Sequence, residues 1–147
     1  MKIINLALLL LFMSFISSCL SNQELMKIKE NSEECIVMKT SSWLSTKATV
    51  KNNTSYVGLL GISATKIKSN DKIVSSLLHI PLGEFKNGKL YYGILFENIS
   101  NKIQNGSLRI KSGFFTENYI YSKACSKREA ALGASGIIYD EENNRSK

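Results

Sequence analysis

Histidine is almost absent from this chain, and its scarcity argues against active sites that use a histidine as general base. His79 is the only histidine among 147 residues, so any Ser-His-Asp or Cys-His arrangement would have to use it. It lies in an apolar, strand-like segment, where a hydrogen-bonded structural role is the simpler interpretation than a general base. Four acidic residues inside the predicted domain have no spacing that requires an acid–base pair; they are Asp71, Glu84, Glu97 and Glu117. The sequence therefore predicts a protein that is not an enzyme and has no catalytic residue.

Other absences narrow the class further. The chain has no CxxC pair and a single histidine, so we expect no metal site. It has no glycine-rich phosphate-binding loop, so we expect no cofactor. One proline and the lack of a Pro/Gly/Ser-rich linker argue against a second domain. After the first nineteen residues, no segment is long and apolar enough to span a membrane.

The first nineteen residues carry the most specific signal. Lys2 is their only charge, a mostly apolar run from Ile3 to Ile16 follows, and small residues end the segment. This order is typical of a secretory signal peptide. The last four residues, Ile16-Ser17-Ser18-Cys19, resemble a bacterial lipobox, in which an aliphatic residue and two small ones precede the lipidated cysteine. An ordinary signal peptide, cut slightly later after Ser21, is the alternative.

The resemblance covers residues 1–19 only and implies a bacterial lipoprotein. It implies that residues 1–18 are removed and that Cys19 carries fatty acyl chains, palmitate among them. The partner is then membrane lipid, to which these chains attach the protein, and the protein is located in the cell envelope. Leu20 follows the cysteine where an enterobacterial signal for inner-membrane retention would have Asp. The outer membrane is therefore favoured if the organism has two membranes.

The cysteine count fits this arrangement. If Cys19 is lipidated, Cys35 and Cys125 remain, and an isolated pair in an oxidising compartment indicates a disulfide. Closing a loop of about 90 residues stabilises a fold by roughly 4–5 kcal/mol in the chain-entropy model. The bond would also place the first and last strands side by side. Two buried free thiols are the alternative.

Most of the mature chain has the pattern of β-strands. After a polar tether over residues 19–33, apolar residues recur with period two and β-branched residues become frequent. Turn signals such as Asn52-Asn53 and Asn87-Gly88 separate about seven strands. This spacing predicts an all-β domain over residues 34–139, built as a single antiparallel sandwich or small barrel.

The C-terminal part predicts a different element. Ser126 and Glu129 have capping-box spacing, which predicts one short helix from Lys127 to Leu132 that Gly133 ends. We expect a last edge strand over residues 137–139 and a disordered charged tail over residues 140–147.

Charge suggests a class of partner. The net charge is +7, which favours anionic phospholipid headgroups or an acidic envelope polymer. No nucleic-acid partner is expected, because an exported protein rarely meets one. Two cation pairs alternate with apolar residues on predicted strands and are candidates for anionic-surface binding; they are Lys66 with Lys68 and Arg109 with Lys111. Ordinary solvated cations on a half-buried sheet are the alternative.

Together these observations predict a lipid-anchored cell-envelope protein with a non-enzymatic binding or accessory role, for instance in a larger envelope complex. The alternative is a small inhibitor or exclusion lipoprotein acting on an envelope enzyme, phage or plasmid. Loops at Pro81–Lys89 and Asn98–Gly106 would then present its key side chain. Five Asn-x-Ser/Thr sequons keep a secreted eukaryotic glycoprotein as a third interpretation.

Overall fold

The period-two segments form a closed barrel in which each strand is antiparallel to both of its neighbours. The computed structural model describes residues 32–40 and 46–145. Within them, ten strands follow one another around the barrel in chain order until the last pairs with the first. The strands are β1 Cys35–Lys39, β2 Lys47–Lys51, β3 Thr54–Val57, β4 Ile62–Ile67, β5 Lys72–Ser75, β6 Pro81–Lys86, β7 Lys89–Tyr92, β8 Asn98–Ser100, β9 Ser107–Ser112 and β10 Phe115–Tyr121. The all-β, antiparallel prediction is confirmed in its barrel form, with ten strands instead of about seven.

Turns at one end of the barrel follow the residue preferences of β-hairpins. Asn52 and Asn53 join β2 to β3, and Asn87 and Gly88 join β6 to β7. All four have positive φ, between 50° and 74°. Glycine and asparagine adopt this conformation at the least cost, and two-residue hairpin turns of type I′ require it at both positions. Both predicted turns are confirmed.

A single helix, α1 (Lys127–Arg145), runs through the barrel. The nine consecutive residues 130–138 are all buried, so the strands cover every face of this part of the helix. The capping box is present: Ser126 N donates to Glu129 Oε1 at 3.0 Å, and Glu129 N donates to Ser126 Oγ at 3.1 Å. The predicted helix start is therefore confirmed.

The predicted helix end is wrong. Gly133 lies inside α1, residues 137–139 are helical where an edge strand was expected, and residues 140–145 form the last turns where a disordered tail was expected. The reason is close packing against the barrel wall. A Cβ on Gly133 would overlap the Val37 side chain, and one on Gly136 would overlap Ser55. These glycines let the helix approach the strands, and they do not break it.

Hydroxyl groups fix the helix against the wall formed by β3 and β4. Ser55 Oγ lies 2.6 Å from Thr65 Oγ1, which lies 3.0 Å from Ser135 Oγ on α1. Ser135 Oγ also donates to Leu132 O at 2.6 Å. All three hydroxyl-bearing residues are buried, and a fully hydrogen-bonded buried network of this kind specifies one position for the helix. Larger side chains fill much of the remaining interior, among them Leu90, Tyr92, Leu108, Ile110, Tyr119 and Tyr121.

The predicted disulfide is present. Cys35 begins β1, and its sulfur is bonded to that of Cys125, which precedes α1. The strands β1 and β10 are paired, with Val37 opposite Tyr121. The expectation that the first and last strands lie side by side is confirmed. Lipidation of Cys19 remains a prediction, because residues 1–31 lie outside the described part of the chain.

Candidate functional site

The two ends of the barrel are formed by two different sets of connections. Because successive strands alternate in direction, the connections β3–β4, β5–β6, β7–β8 and β9–β10 lie at one end. The connections β2–β3, β4–β5, β6–β7 and β8–β9 lie at the other, together with the start of α1. The C-terminal turns of α1 reach the first end, where the Tyr92 hydroxyl donates a hydrogen bond to Glu142. Each end can therefore be compared as a surface.

Pairs of large apolar side chains lie in or directly beside four connections at the first end. Eight such side chains are between 73% and 107% exposed. We call these eight residues the apolar rim; they are Leu59, Leu60, Leu77, Leu78, Ile94, Leu95, Phe114 and Phe115. The other large apolar side chains exposed in the described residues lie in or beside the same connections; they are Ile62, Ile80, Phe96 and Ile99. A monomeric domain rarely exposes so much apolar surface in one region, and such a patch marks a docking surface.

Backbone hydrogen bonds close the turns that carry the rim residues. Gly58 and Gly61 flank the first pair with φ of 83° and 59°, and Gly61 N donates to Gly58 O at 3.3 Å. The second turn is closed by His79 N donating to Ser75 O at 3.1 Å, and the third by Phe96 N donating to Gly93 O at 3.2 Å. Positive φ allows these tight turns, at glycine in the first and third and at His79 in the second. The turns hold these apolar pairs at the tips of hairpins.

The rim connections contain no lysine or arginine among their described residues, 58–61, 76–80, 93–97 and 113–114. Their one carboxylate, on Glu97, accepts a hydrogen bond from Leu95 N at 3.4 Å. Charge therefore contributes little to this surface, and apolar contact is its main chemistry.

The opposite end is rich in cations, and we call it the basic end. Six of its lysines form no ion pair with any described residue; they are Lys68, Lys86, Lys89, Lys102, Lys123 and Lys127. Three further cations are paired: Arg128 with Asp71 at 2.7 Å, Lys72 with Glu84 at 2.8 Å and Lys51 with Glu34 at 3.6 Å. The excess of unpaired lysines gives this end a positive field that attracts anions.

The two cation pairs that are candidates for anionic-surface binding lie far apart on the barrel. Lys66 lies on β4 and Lys68 directly after it, whereas Arg109 and Lys111 lie on β9. In the ring of ten strands, β4 and β9 are five positions apart in either direction, so the two pairs are on opposite sides of the barrel. Each pair does face outward, as period two predicts. Only Lys68 belongs to the basic end, so the four cations do not make one joint field, and anionic-surface binding by either pair stays a prediction.

Lys39 is a buried cation just inside the barrel mouth on the rim side. Its side chain is 6% exposed, and its Nζ lies 2.9 Å from Glu117 Oε1 and 2.9 Å from Glu141 Oε2 on α1. Burial lowers the pKa of Lys39, but the hydrogen bonds and charges of the two carboxylates outweigh burial and leave the pKa raised. Burial, followed by the charges of Glu117 and Glu141, raises the pKa of the Tyr119 hydroxyl. The cluster ties the end of α1 to β1 and β10.

His79 is not the strand residue that the sequence predicts. The strand β5 ends at Ser75, and His79 is exposed in the β5–β6 connection with φ of 54°.

The segment Pro81–Lys89, expected to be a loop that presents a key side chain, is mostly the strands β6 and β7 with a two-residue turn. Asn98–Ser100 is the strand β8, and only residues 101–106 of the second expected loop form a connection, at the basic end.

A cleft of about 460 Å³ opens beside the rim, between the β5–β6 and β7–β8 connections and the end of α1. Ile80, Leu82 and Ile94 form apolar parts of its wall, and Glu97 and Glu142 contribute carboxylates. The Tyr92 hydroxyl at its base donates to Glu142 Oε2 at 3.2 Å. Burial, then the charge of Glu142, raises the pKa of Tyr92. The cleft adds apolar surface to the rim end.

Sequence reasoning missed the rim, although the sequence contains a signal for it. Apolar pairs recur at Leu59-Leu60, Leu77-Leu78, Ile94-Leu95 and Phe114-Phe115. One pair therefore occurs in each unit of two strands, and glycine precedes three of the four. Trp43-Leu44 continues the series towards the N-terminus, in residues 41–45, which lie outside the described part of the chain.

Comparison with known proteins finds no matching family model, no matching curated sequence and no matching solved structure. Among the described residues, no helix is both long and apolar enough to cross a bilayer.

Proposed function

We propose that this protein is a lipid-anchored, non-enzymatic binding protein of the cell envelope that uses the two ends of its barrel as binding surfaces. The observation that carries the proposal is the separation of chemistry between them. Large exposed apolar side chains are collected at one end, and six of the lysines that form no ion pair with a described residue are collected at the other.

The construction of the barrel supports binding at the ends. The helix α1 occupies the interior, where residues 130–138 are all buried against strands and core side chains. Small-molecule sites are usually concave and enclosed, whereas the most exposed apolar surface of the described chain lies on hairpin tips. A rigid barrel that presents loops at its ends is a common way to build a binding surface.

The basic end supports contact with an anionic surface. Its six unpaired lysines come from four different segments around the same end, so their fields add over that face. Exposed charges act mainly through long-range attraction, which salt screens with a Debye length of about 8 Å at physiological ionic strength. Binding there should be weak and salt-dependent, as suits an acidic envelope polymer or anionic headgroups.

Anchoring is supported by the lipobox-like end of the signal segment, Ile16-Ser17-Ser18-Cys19. In a bacterial host grown with labelled palmitate, the full chain should be processed, take up label and enter the membrane fraction. Cys19→Ala should leave an unprocessed and unlabelled precursor. Processing of that variant to the wild-type size would contradict lipidation.

Binding by the basic end is tested separately with the chain from residue 20 onward. Every described contact lies within residues 32–145, so this form retains them all. It should bind an immobilised polyanion in low salt and be released as salt rises. Replacing Lys86, Lys89, Lys102 and Lys123 with Gln should remove most of the binding, and replacing Lys66, Arg109 and Lys111 should remove much less. Equal losses would contradict a specific role for the basic end.

A further inference from the structure

We infer that the apolar rim inserts into a lipid bilayer, so that the hairpin tips seat the rim end of the barrel in a membrane. The inference rests on the proposed envelope location and names the partner of the rim. It adds a second membrane attachment to the acyl chains proposed at Cys19.

The composition of the rim fits lipid better than a protein partner. Protein–protein hot spots are enriched in tryptophan, tyrosine and arginine, and leucine is under-represented in them. The eight rim residues are five leucines, one isoleucine and two phenylalanines. Pairs on separate hairpin tips also lack the continuous, complementary surface of a protein interface. A fluid hydrocarbon phase requires no such complementarity.

The absence of cations fits burial in hydrocarbon. A lysine or arginine at membrane depth is expensive, and the described rim connections contain neither. Glu97 is the one carboxylate in these connections, and it folds back onto the backbone N–H of Leu95. Six of the unpaired lysines lie at the far end of the barrel, where they would stay in water. Lys47 and Lys111, nearer the rim, lie on the strands β2 and β9 and outside the hairpin tips.

The backbone of the tips also suits insertion. An unsatisfied N–H or C=O is costly in hydrocarbon. Hydrogen bonds close the turns at Gly58–Gly61, Ser75–His79 and Gly93–Phe96. These bonds reduce the number of backbone groups that would enter lipid without a partner.

The anchor and the rim can reach the same membrane. The domain begins at the basic end with Cys35, 16 residues after Cys19. A chain of this length spans up to about 53–58 Å when extended. The longest strand, β10, has seven residues and is about 23 Å long. The tether is therefore long enough to pass the barrel and let the rim face the bilayer that holds the acyl chains.

The test is flotation with vesicles of uncharged phosphatidylcholine in high salt, using the chain from residue 20 onward. This form lacks Cys19, so lipidation cannot contribute, and neutral lipid with high salt removes the contribution of the basic end. The rim variant replaces Leu59, Leu60, Leu77 and Leu78 with Ser. The matched control replaces Lys86, Lys89, Lys102 and Lys123 with Ser, which changes the same number of exposed residues to the same amino acid.

The wild-type chain and the lysine control should float with the vesicles, and the rim variant should bind about 100-fold more weakly or worse. Circular dichroism and thermal unfolding check that both variants keep the fold. Failure of the wild-type chain to float, or equal flotation of the rim variant, would overturn the inference. Concentration-dependent self-association without vesicle binding would overturn it as well, by making the rim an interface between copies. None of these results would affect palmitate uptake at Cys19 or polyanion binding, which test the proposed function.

Discussion

The two ends of the barrel are made by the same strands and by connections of similar length, yet their chemistry is opposite. At the basic end, the turns contain residues that the backbone needs, such as Asn52-Asn53 and Asn87-Gly88 with positive φ. At the rim end, glycine precedes three of the four apolar pairs, and the paired residues are leucine, isoleucine and phenylalanine. Because turn geometry does not require large apolar side chains in water, the rim is better explained by binding than by folding.

The largest expected effect concerns the one lysine that is buried on the rim side. Lys39→Met removes the cation between Glu117 and Glu141 and leaves two carboxylates close together inside the barrel mouth. Removing one partner of a buried ion pair costs about 3–5 kcal/mol, which denaturant unfolding would measure. Lys51→Met is the matched control at the basic end. Lys51 is 60% exposed and its Nζ lies 3.6 Å from Glu34, so we expect a loss of about 0.5 kcal/mol or less. Equal losses of unfolding free energy in the two variants would contradict the assignment of Lys39 as a buried structural cation.

Disruption of the disulfide should have the next largest effect. Cys35→Ser with Cys125→Ser opens a loop closed across 90 residues, which should lower the free energy of unfolding by about 2–5 kcal/mol. The bond joins β1 to the segment before α1 at the basic end. We therefore expect early amide exchange in the first turn of α1, while Ser135 and its neighbours remain protected. Uniform loss of protection along the helix would contradict this assignment.

Close packing of α1 should have a moderate effect. Alanine favours a helix over glycine by roughly 1 kcal/mol, but a Cβ on Gly133 would overlap Val37. Overpacking typically costs about 1–3 kcal/mol, so Gly133→Ala should destabilise the protein on balance. Lys127→Ala, at an exposed position of the first turn, should change stability by less than about 0.5 kcal/mol. A more stable Gly133→Ala variant would mean that the helix can move away from β1.

Alkaline pH should weaken the rim-side mouth. Lys39, Tyr92 and Tyr119 all have raised pKa values in the folded state. The folded state therefore keeps protons that the unfolded state releases above about pH 10, and the free energy of unfolding must fall as pH rises further. The stabilisation is fully present at neutral pH. Lys39→Met should reduce the slope of stability against pH in this range, and an unchanged slope would contradict the assignment.

The smallest expected effect on stability is that of the rim itself. Its side chains are at least 73% exposed, and exposed substitutions usually change stability by no more than about 0.5 kcal/mol. The rim variant described above should therefore unfold at nearly the wild-type denaturant concentration. A loss of several kcal/mol would show that the rim residues serve the fold.

The contrast between the ends also explains what could be predicted from the sequence. The turns of the basic end were found because Asn52-Asn53 and Asn87-Gly88 are local signals that act through φ. The capping box at Ser126 and the disulfide pair were found for the same reason, because each depends on few residues. The all-β class of fold was predicted because apolar residues recur with period two along the chain.

The rim connections were not found, because their apolar residues continue the pattern of the strands. The segments Tyr56–Ile67 and Ile73–Ile80 each resemble one strand. In the structure the first contains the strand pair β3 and β4 with Leu59-Leu60 at the tip, and in the second β5 ends at Ser75. The strand count was too low for this reason. The length of α1 was missed because Gly133 resembles a helix end until its contact with Val37 is known.

Tryptophan quenching distinguishes a rim end that faces hydrocarbon from a basic end that faces water. In the chain from residue 20 onward with Trp43→Phe, a single tryptophan is placed either at the rim, as Leu60→Trp, or at the basic end, as Lys86→Trp. Both variants are mixed with phosphatidylcholine vesicles whose acyl chains carry bromine, a quencher. We predict a blue shift and strong quenching for Leu60→Trp and neither for Lys86→Trp. Equal quenching at the two ends, or quenching of Lys86→Trp alone, would show that the rim end is not the end that enters the membrane.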